Sequence, residues 1–340
     1  MSTAPGFWDF RYLSEAIQAM PGQPSLLQRT LFRNRNSNPT TFIEFHTEKY
    51  KNKVVPYTTS IAGGTIIDGT RKSATTMKCP KLRPKMELNP EQLISRPSGF
   101  VQYIVGGQSP EQAAEKNLAT ALRSMRFRLD MTIEKACADI LQGSMTVPEL
   151  GLVYDYGMPA GNKITLTGGD LWSDDTADIP AQLEAFCKKA KDQTGYSPNV
   201  MILGTSAASR IVSHPKIQKE LDTKRMESGM LAPEFGADFI GTYRGLQLYK
   251  YGGSYLDEND VPQEVWPANK IALYSTMAEA VLEFGLIQDL AGGIGGVQGE
   301  FFGKIYLEND PSTMWLLGET NPLPVIKQPA SVVTVVVMNG

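Results

Sequence analysis

The longest regular pattern in the chain begins at Pro110 and reaches Gln142. Beyond that first proline the stretch holds neither glycine nor proline, and Leu118, Leu122, Met125, Leu129, Ile133, Ala136 and Ile140 recur at three- and four-residue steps. This spacing stacks them on one face of an α-helix and directs Lys116, Arg123, Arg126 and Glu134 elsewhere. Ser109 suits the N-cap, Pro110 the first helical position and Gly143 the stop, while Glu111 and Glu115 favour the positive end of the helix dipole. At 1.5 Å per residue the helix would run about 50 Å, longer than a globular domain needs. It reads as a spine.

Upstream the pattern is weaker. Tyr12 to Met20 can form a short helix stopped by Pro21 and Gly22, Leu26 to Arg33 is apolar at both ends, and Asn34 to Asn38 is polar. The expectation is an extended or loosely helical tail, not a domain. Two strand-like stretches follow, Thr41 to His46 and Lys81 to Leu88, around a middle rich in Thr, Lys and Gly with Gly63, Gly64 and Gly69 as turn signals. They predict a two-stranded arm from about Thr40 to Asn89. An isolated ribbon is only marginally stable in water, so such an arm must lie on something else. A second subunit is the natural partner.

Downstream of the spine, Tyr154 to Leu166 can fold back as a hairpin through Met158 to Asn162, and Thr167 to Ser173 reads as a loop. An α/β pattern comes next. It holds a helix from Pro180 to Gln193 stopped by Gly195, a strand from Asn199 to Leu203, and helices from Ser206 and from Pro215 to about Glu227. Strands are expected at Leu246 to Tyr251 and Lys270 to Tyr274, with an acidic turn at Asp257, Glu258 and Asp260 between them. Gly292 to Gly296 leads into a strand from Glu300 to Leu307, and Ser331 to Met338 is a β-branched run.

Charge sharpens the picture of the arm. Residues 47–87 carry nine Lys/Arg against three Asp/Glu, so the ribbon either crosses an acidic surface or stays solvated as an exposed loop. Over the whole chain 33 basic and 36 acidic residues give a net charge of −3, without the basic excess of a protein that grips nucleic acid through its phosphates. Cys79, Cys137 and Cys187 are widely spaced, with no CxxC and no nearby histidine pair, so neither a disulfide framework nor a zinc site is indicated. No basic segment followed by an apolar run opens the chain, and Val332 to Met338 is too short to cross a bilayer. An intracellular, reducing origin is expected.

Candidate chemistry mostly fails on its own terms. Ser206 sits between a strand and a helix as a nucleophile elbow would, but Ala208 replaces the second glycine of GxSxG. The histidines are His46, in the arm, and His214, in a turn close behind Ser206. A helix cap is the plainer role for Ser206. Ser213 to Lys216 matches SxxK without its companion motifs. Asp170, Asp174, Asp175 and Asp178 lack the glycine and the bidentate glutamate of a calcium loop, and Asp178 reads as a cap. Gly293, Gly295 and Gly299 miss the dinucleotide spacing by one residue and enter a strand. The cysteines in helices default to burial as small apolar groups. No cofactor, metal or catalytic set is expected, and the chain reads as a non-enzyme.

The order of tail, arm, spine, α/β region and returning strands resembles the major capsid protein of tailed bacteriophages, the Hong Kong phage fold. Leu31-Phe32-Arg33, Lys85 to Pro90, Gly168 to Ser173, Leu221 to Arg225, Asn321 to Pro324 and the terminal Val-rich strand resemble its lambda branch in the same order. The resemblance implies an α+β fold with an N-terminal arm at 1–40 and an extended loop at 41–89. It further implies a peripheral domain at 90–180 with its spine helix at 110–142, an axial domain at 181–299, and return strands at 300–340. It also implies a structural head protein that assembles as hexamers and pentamers into an icosahedral shell around double-stranded DNA. Implied partners are further copies of the chain, a separate scaffolding protein, a portal protein and, for the lambda branch, a cementing or decoration protein, with no membrane. The implied location is the virion, after assembly in the bacterial host cytoplasm.

Candidate intersubunit contacts are Arg71, Lys72 and Lys78 on the arm and Glu111 and Glu115 at the start of the spine. No motif carries over the lysine to asparagine crosslink of some relatives, so Lys72 is read as an ionic contact. The alternatives are an encapsulin-type nanocompartment, distinguished by protein cargo in place of DNA, and a serine hydrolase built on Ser206.

Overall fold

The computed structural model describes residues 9–20, 25–49, 71–88, 110–147, 151–221, 237–257, 259–293, 295–309 and 312–339. Helices α1 (Phe10–Ala19) and α2 (Leu26–Thr30) open the described chain, followed by strands β1 (Asn34–Ser37), β2 (Phe42–Lys49), β3 (Arg71–Lys78) and β4 (Lys85–Leu88). The spine α3 (Pro110–Leu141) leads to β5 (Ser144–Val147), β6 (Leu152–Asp155) and β7 (Lys163–Thr165). Then come α4 (Ile179–Thr194), β8 (Val200–Leu203), α5 (Thr205–Ser213), α6 (Pro215–Leu221), β9 (Ala237–Tyr243) and β10 (Leu246–Tyr251). The remainder is strand: β11 (Ser254–Leu256), β12 (Pro262–Glu264), β13 (Lys270–Tyr274), β14 (Ala280–Phe284), β15 (Phe302–Asn309), β16 (Ser312–Glu319), β17 (Pro322–Ile326) and β18 (Val333–Val336).

The spine forms where its periodicity places it. Gly143 closes it at φ 99°, a left-handed conformation that favours glycine, and its N–H bonds to the carbonyl of Ile140. Leu118, Leu122, Met125, Leu129, Ile133 and Ile140 are all buried, while Lys116 and Arg123 are exposed. The expectation for Arg126 and Glu134 is overturned, because both are buried on the same helix. Each is accommodated by partners. The Glu134 carboxylate accepts from the Leu27 N–H at 2.8 Å, the Gln28 N–H at 3.3 Å and the Tyr251 hydroxyl at 2.9 Å. Arg126 pairs with Asp130 at 3.0 Å, donates to the Ile17 carbonyl at 3.2 Å and lies 3.6 Å over the Phe301 ring.

These bonds explain why the first 40 residues are more than a tail. Leu13, Ile17, Leu26, Leu27 and Phe32 are almost fully buried in the core that also holds the spine's apolar face. Helix α2 is seated with its first N–H groups on Glu134, which supplies the acceptor that a short helix lacks at its start. The polar stretch after it is a strand. β1 runs parallel to β14, its side chains mostly face solvent, and Asn36 and Asn38 donate to the Glu283 carboxylate. Polarity here marks a sheet edge, with β14 between β1 and β17.

The C-terminal β18 enters a six-stranded mixed sheet of order β7-β18-β13-β8-β10-β9. A second core, with Trp172, Leu183, Phe186, Ile211, Val333 and Val335, forms between this sheet and helices α4 to α6. The expected hairpin from Tyr154 to Leu166 is not formed. β6 pairs back onto β5, and β7 instead runs parallel to β18. Asn162 holds this alternative, its amide donating to the carbonyls of Ala330 and Val332 at 3.0 Å each. Helix α4 starts on Asp178, which accepts from Ala181 N–H, and ends at Gly195 with φ 81°. Helix α6 ends its described part at Leu221, so the expected continuation to Glu227 lies outside the described residues.

Candidate intersubunit surface

The arm is present, with a different pairing from that expected. β2 pairs antiparallel with β3, from Phe42 opposite Lys78 to Lys49 opposite Arg71. The segment from Lys81 to Leu88 does not belong to this ribbon. Pro80 and Pro84 have no N–H to offer a ladder, so the chain breaks from β3, makes one bridge from Leu82 to Thr320, and then lays β4 beside β16. Residues 50–70, with the turn glycines, lie outside the described residues.

The root of the ribbon is not suspended in water. Ile43 and Phe45 are buried, Phe45 stacks on Tyr156 at 6.0 Å, and the Tyr154 hydroxyl donates to the Lys78 carbonyl at 2.7 Å. Tyr154 of β6 and Tyr156 just beyond it therefore buttress the arm's base. Beside it, Cys79 N–H bonds to Thr41 carbonyl, and Leu286 N–H to Thr40 carbonyl, tying the entering strand to the body. Gly285 is needed at this crossing, because a Cβ there would lie 2.8 Å from the Cys79 sulfur.

The returning strand is tied by charge. Lys81 Nζ is 2.6 Å from Glu319 Oε1, and Arg83 reaches Glu319 Oε2 through Nε at 3.2 Å and Asp289 Oδ2 through Nη2 at 3.0 Å. Lys304 Nζ completes the cluster at 2.6 Å from Asp289. Glu319 is fully buried and Asp289 nearly so, which makes the cations necessary partners. Burial pulls the Asp289 carboxyl upward, but hydrogen bonds from Lys304 and the Ala291 N–H, with the charges of Lys304 and Arg83, hold it below the usual range.

Of the five candidate contact residues, the side chains of Lys78 and Glu115 are among those described. Arg71 and Lys72 begin β3, opposite Lys49 and Glu48 in the ladder, while Lys78 ends it with an exposed side chain. Glu111 lies in the first turn of α3, and Glu115 follows one turn later, exposed. Among the described residues neither Lys78 nor Glu115 has a side-chain partner.

Catalytic readings find no geometry. Gly204 occupies the N-cap position of α5 and Ser206 lies inside the helix, so the expected capping role for Ser206 does not hold. The recess of about 480 Å³ beside Ser206 is lined by Thr205, Ser209, Arg210, Ser213 and Met338, which include no general base. His214 is fully buried at the end of α5, with Nε2 3.3 Å from the Asp174 carbonyl. Asp174 accepts from Thr176 and Asp175 pairs with Arg210, as loop and surface contacts. Burial raises all three thiols, Cys79 to about 12 and Cys137 and Cys187 in the same direction, which removes thiolate nucleophiles at neutral pH. Among the described residues no three His, Cys, Asp or Glu side chains gather as metal ligands, and no helix is long and apolar enough to cross a membrane.

Similarity to solved structures defines the class. A candidate capsid protein from a prophage of E. coli CFT073 superposes with a TM-score of 0.73 at 19% identity, over 97% of this chain and 99% of that one. A phage-related protein of Bordetella bronchiseptica RB50 gives 0.57 at 15% identity over 96% of both chains. The capsid of Ralstonia phage GP4 gives 0.51 at 9% identity over 95% and 93%. The fold is that of Hong Kong phage-type capsid subunits. No curated protein matches the sequence. The family model for phage major capsid protein E matches residues 9–337, and the chain belongs to that family. It is a major capsid protein, a structural subunit of the virion shell.

Proposed function

We propose that this subunit assembles as hexamers and pentamers into an icosahedral head around double-stranded DNA, with its arm lying across the neighbouring copy. The observation that carries this reading is the ribbon β2-β3. Its root, with Ile43 and Phe45, is buried on its own chain, while Glu44, His46, Thr76 and Lys78 along it are exposed. In the proposed contact Arg71, Lys72 and Lys78 face an acidic patch that includes Glu111 and Glu115 of the next subunit. Lys72 acts there as an ionic contact. In this reading the extended loop of 41–89 holds the ribbon β2-β3 and its return through β4, the peripheral domain is 90–180 around the spine, and the axial domain 181–299, with 300–340 returning between them.

A modest net charge of −3 suits a container that must admit and release DNA. A separate scaffolding protein and a portal protein are proposed partners, with assembly in the bacterial host cytoplasm and a decoration protein as an outer ligand of the finished shell. The protein has no enzymatic role in this reading. Arg71→Glu with Lys72→Glu tests the contact. Shell yield is expected to collapse while the unassembled subunit keeps its circular dichroism and melting temperature, and normal yield would count against the ionic crossing.

A further inference from the structure

We infer that the acidic hairpin β11-β12 of one copy docks into the arginine-lined cleft between α2 and β10 of the next, so that one repeated contact closes the ring of subunits. This rests on the reading of the chain as a shell subunit and adds a second contact to that of the arm. The hairpin pairs Ser254–Leu256 with Pro262–Glu264 and joins no other strand. Residues 252–269 hold four Asp/Glu and no Lys/Arg. Asp257 accepts the N–H groups of Val261 and Asn259, which hold its carboxyl below the usual range, and Asp260 is exposed nearby. Leu256 and Val261 are exposed at the same tip. The tip thus offers negative charge and apolar surface together, on a ribbon that no sheet supports.

The cleft, of about 540 Å³, matches both properties. Arg29 and Arg33 line it beside Gln247, Tyr249 and Thr276, and no described carboxylate does. Arg33 donates through Nε to the Arg29 carbonyl at 2.9 Å, and no described carboxylate pairs with its guanidinium. Tyr249 packs on Phe239 with ring centroids 5.2 Å apart and supplies an apolar wall.

The two surfaces stand at opposite ends of one sheet. β8 and β10 run parallel, with Val200 beside Gln247 at the cleft and Leu203 beside Lys250 toward the hairpin. At the hairpin end the Thr205 hydroxyl donates to Glu264 at 3.0 Å, while at the cleft end Thr276 accepts from the Asn199 amide at 2.8 Å. A strand as long as β10 spans about 20 Å, so the sheet itself keeps the tip away from the cleft of its own chain. Unlike patches on one subunit make a heterologous contact, and repetition of that contact closes a ring where the rotation allows. An isologous dimer would need one self-complementary patch, which neither acids nor arginines alone provide.

The test reverses each charge and then exchanges them in the full-length chain. Arg33→Glu and Asp260→Lys, both at exposed positions, are each expected to keep the melting temperature and lower shell yield by about tenfold, and the double variant is expected to restore it. Parental yield from either single variant, or no recovery in the double, overturns the inference. In a Cys187→Ser background, Arg33→Cys with Asp260→Cys is then oxidised in shells and in unassembled subunits. Covalent pentamers and hexamers from shells alone are the expected result on a denaturing gel, and nothing beyond dimers would overturn the head-to-tail contact. Absence of shells from the parent chain would instead count against the shell reading. A concentrated mixture of the two single-cysteine chains then decides the contact, a mixed disulfide dimer supporting it and monomers alone overturning it.

Discussion

Glu134 shows how a single residue can organise a whole segment. Its carboxylate is buried on the spine and receives two backbone N–H groups of α2 and the Tyr251 hydroxyl. Burial pushes its pKa above the usual carboxylate range, while these hydrogen bonds oppose the rise. Because the folded value lies above the unfolded one, its stabilisation is fully present below the unfolded pKa and declines as pH rises through the folded pKa. Glu134→Ala leaves two N–H donors without acceptors and is expected to cost about 3 kcal/mol in denaturant unfolding. The gap between parent and variant is expected to narrow with rising pH, and a gap constant with pH would contradict this account of the carboxylate. The sequence does not disclose this role. Helical periodicity places charged residues outside by default, and nothing near Glu134 in the chain signals that residues 27 and 28 will come to rest against it. Arg126 escapes for the same reason, since its partners include the Ile17 carbonyl and the Phe301 ring.

Elements defined by local pattern are legible, and those defined by distant partners are not. β10 and β13 fall at Leu246–Tyr251 and Lys270–Tyr274, as expected from the sequence, β10 alternating apolar with polar at its start and β13 a short apolar run, and the spine ends at its glycine. The ribbon is legible as an excursion, but its second strand is β3, because the chain's preference for β16 over β2 after Pro80 is a tertiary choice. Likewise β7 prefers the C-terminal β18 to its near neighbour β6. The turn into α5 illustrates an element whose requirement emerges only in three dimensions. A Cβ at Gly204 would overlap the backbone carbonyls of Pro267 and Ala268, which belong to the loop before β13 and cannot swing aside as a side chain can. Gly204→Ala is expected to cost about 3 kcal/mol or more, read as loss of soluble subunit or a lowered unfolding midpoint. A variant as stable as the parent would show that this loop yields freely.

At the scale of the molecule, two cores divide the mechanical work. The larger core joins the N-terminal segment, the spine, the arm's root and β14 with β17, while the smaller closes the six-stranded sheet under its helices. The arm leaves from the larger core, tied at one foot by backbone hydrogen bonds to residues 284–286 and at the other by buried ion pairs. A rigid body with a directed, basic ribbon suits repeated assembly, because each new contact then costs little ordering. The candidate contact residues are proposed from charge pattern alone, and the sequence gives no local signal for the surface they would meet. Electron microscopy of the overexpressed full-length chain, expressed alone and with its scaffolding partner, tests the central claim most directly. Closed shells with the β2-β3 ribbon, 42–78, resolved over an adjacent subunit are the expected result. Discrete monomers under both conditions, or shells in which the ribbon folds back on its own subunit, would contradict it.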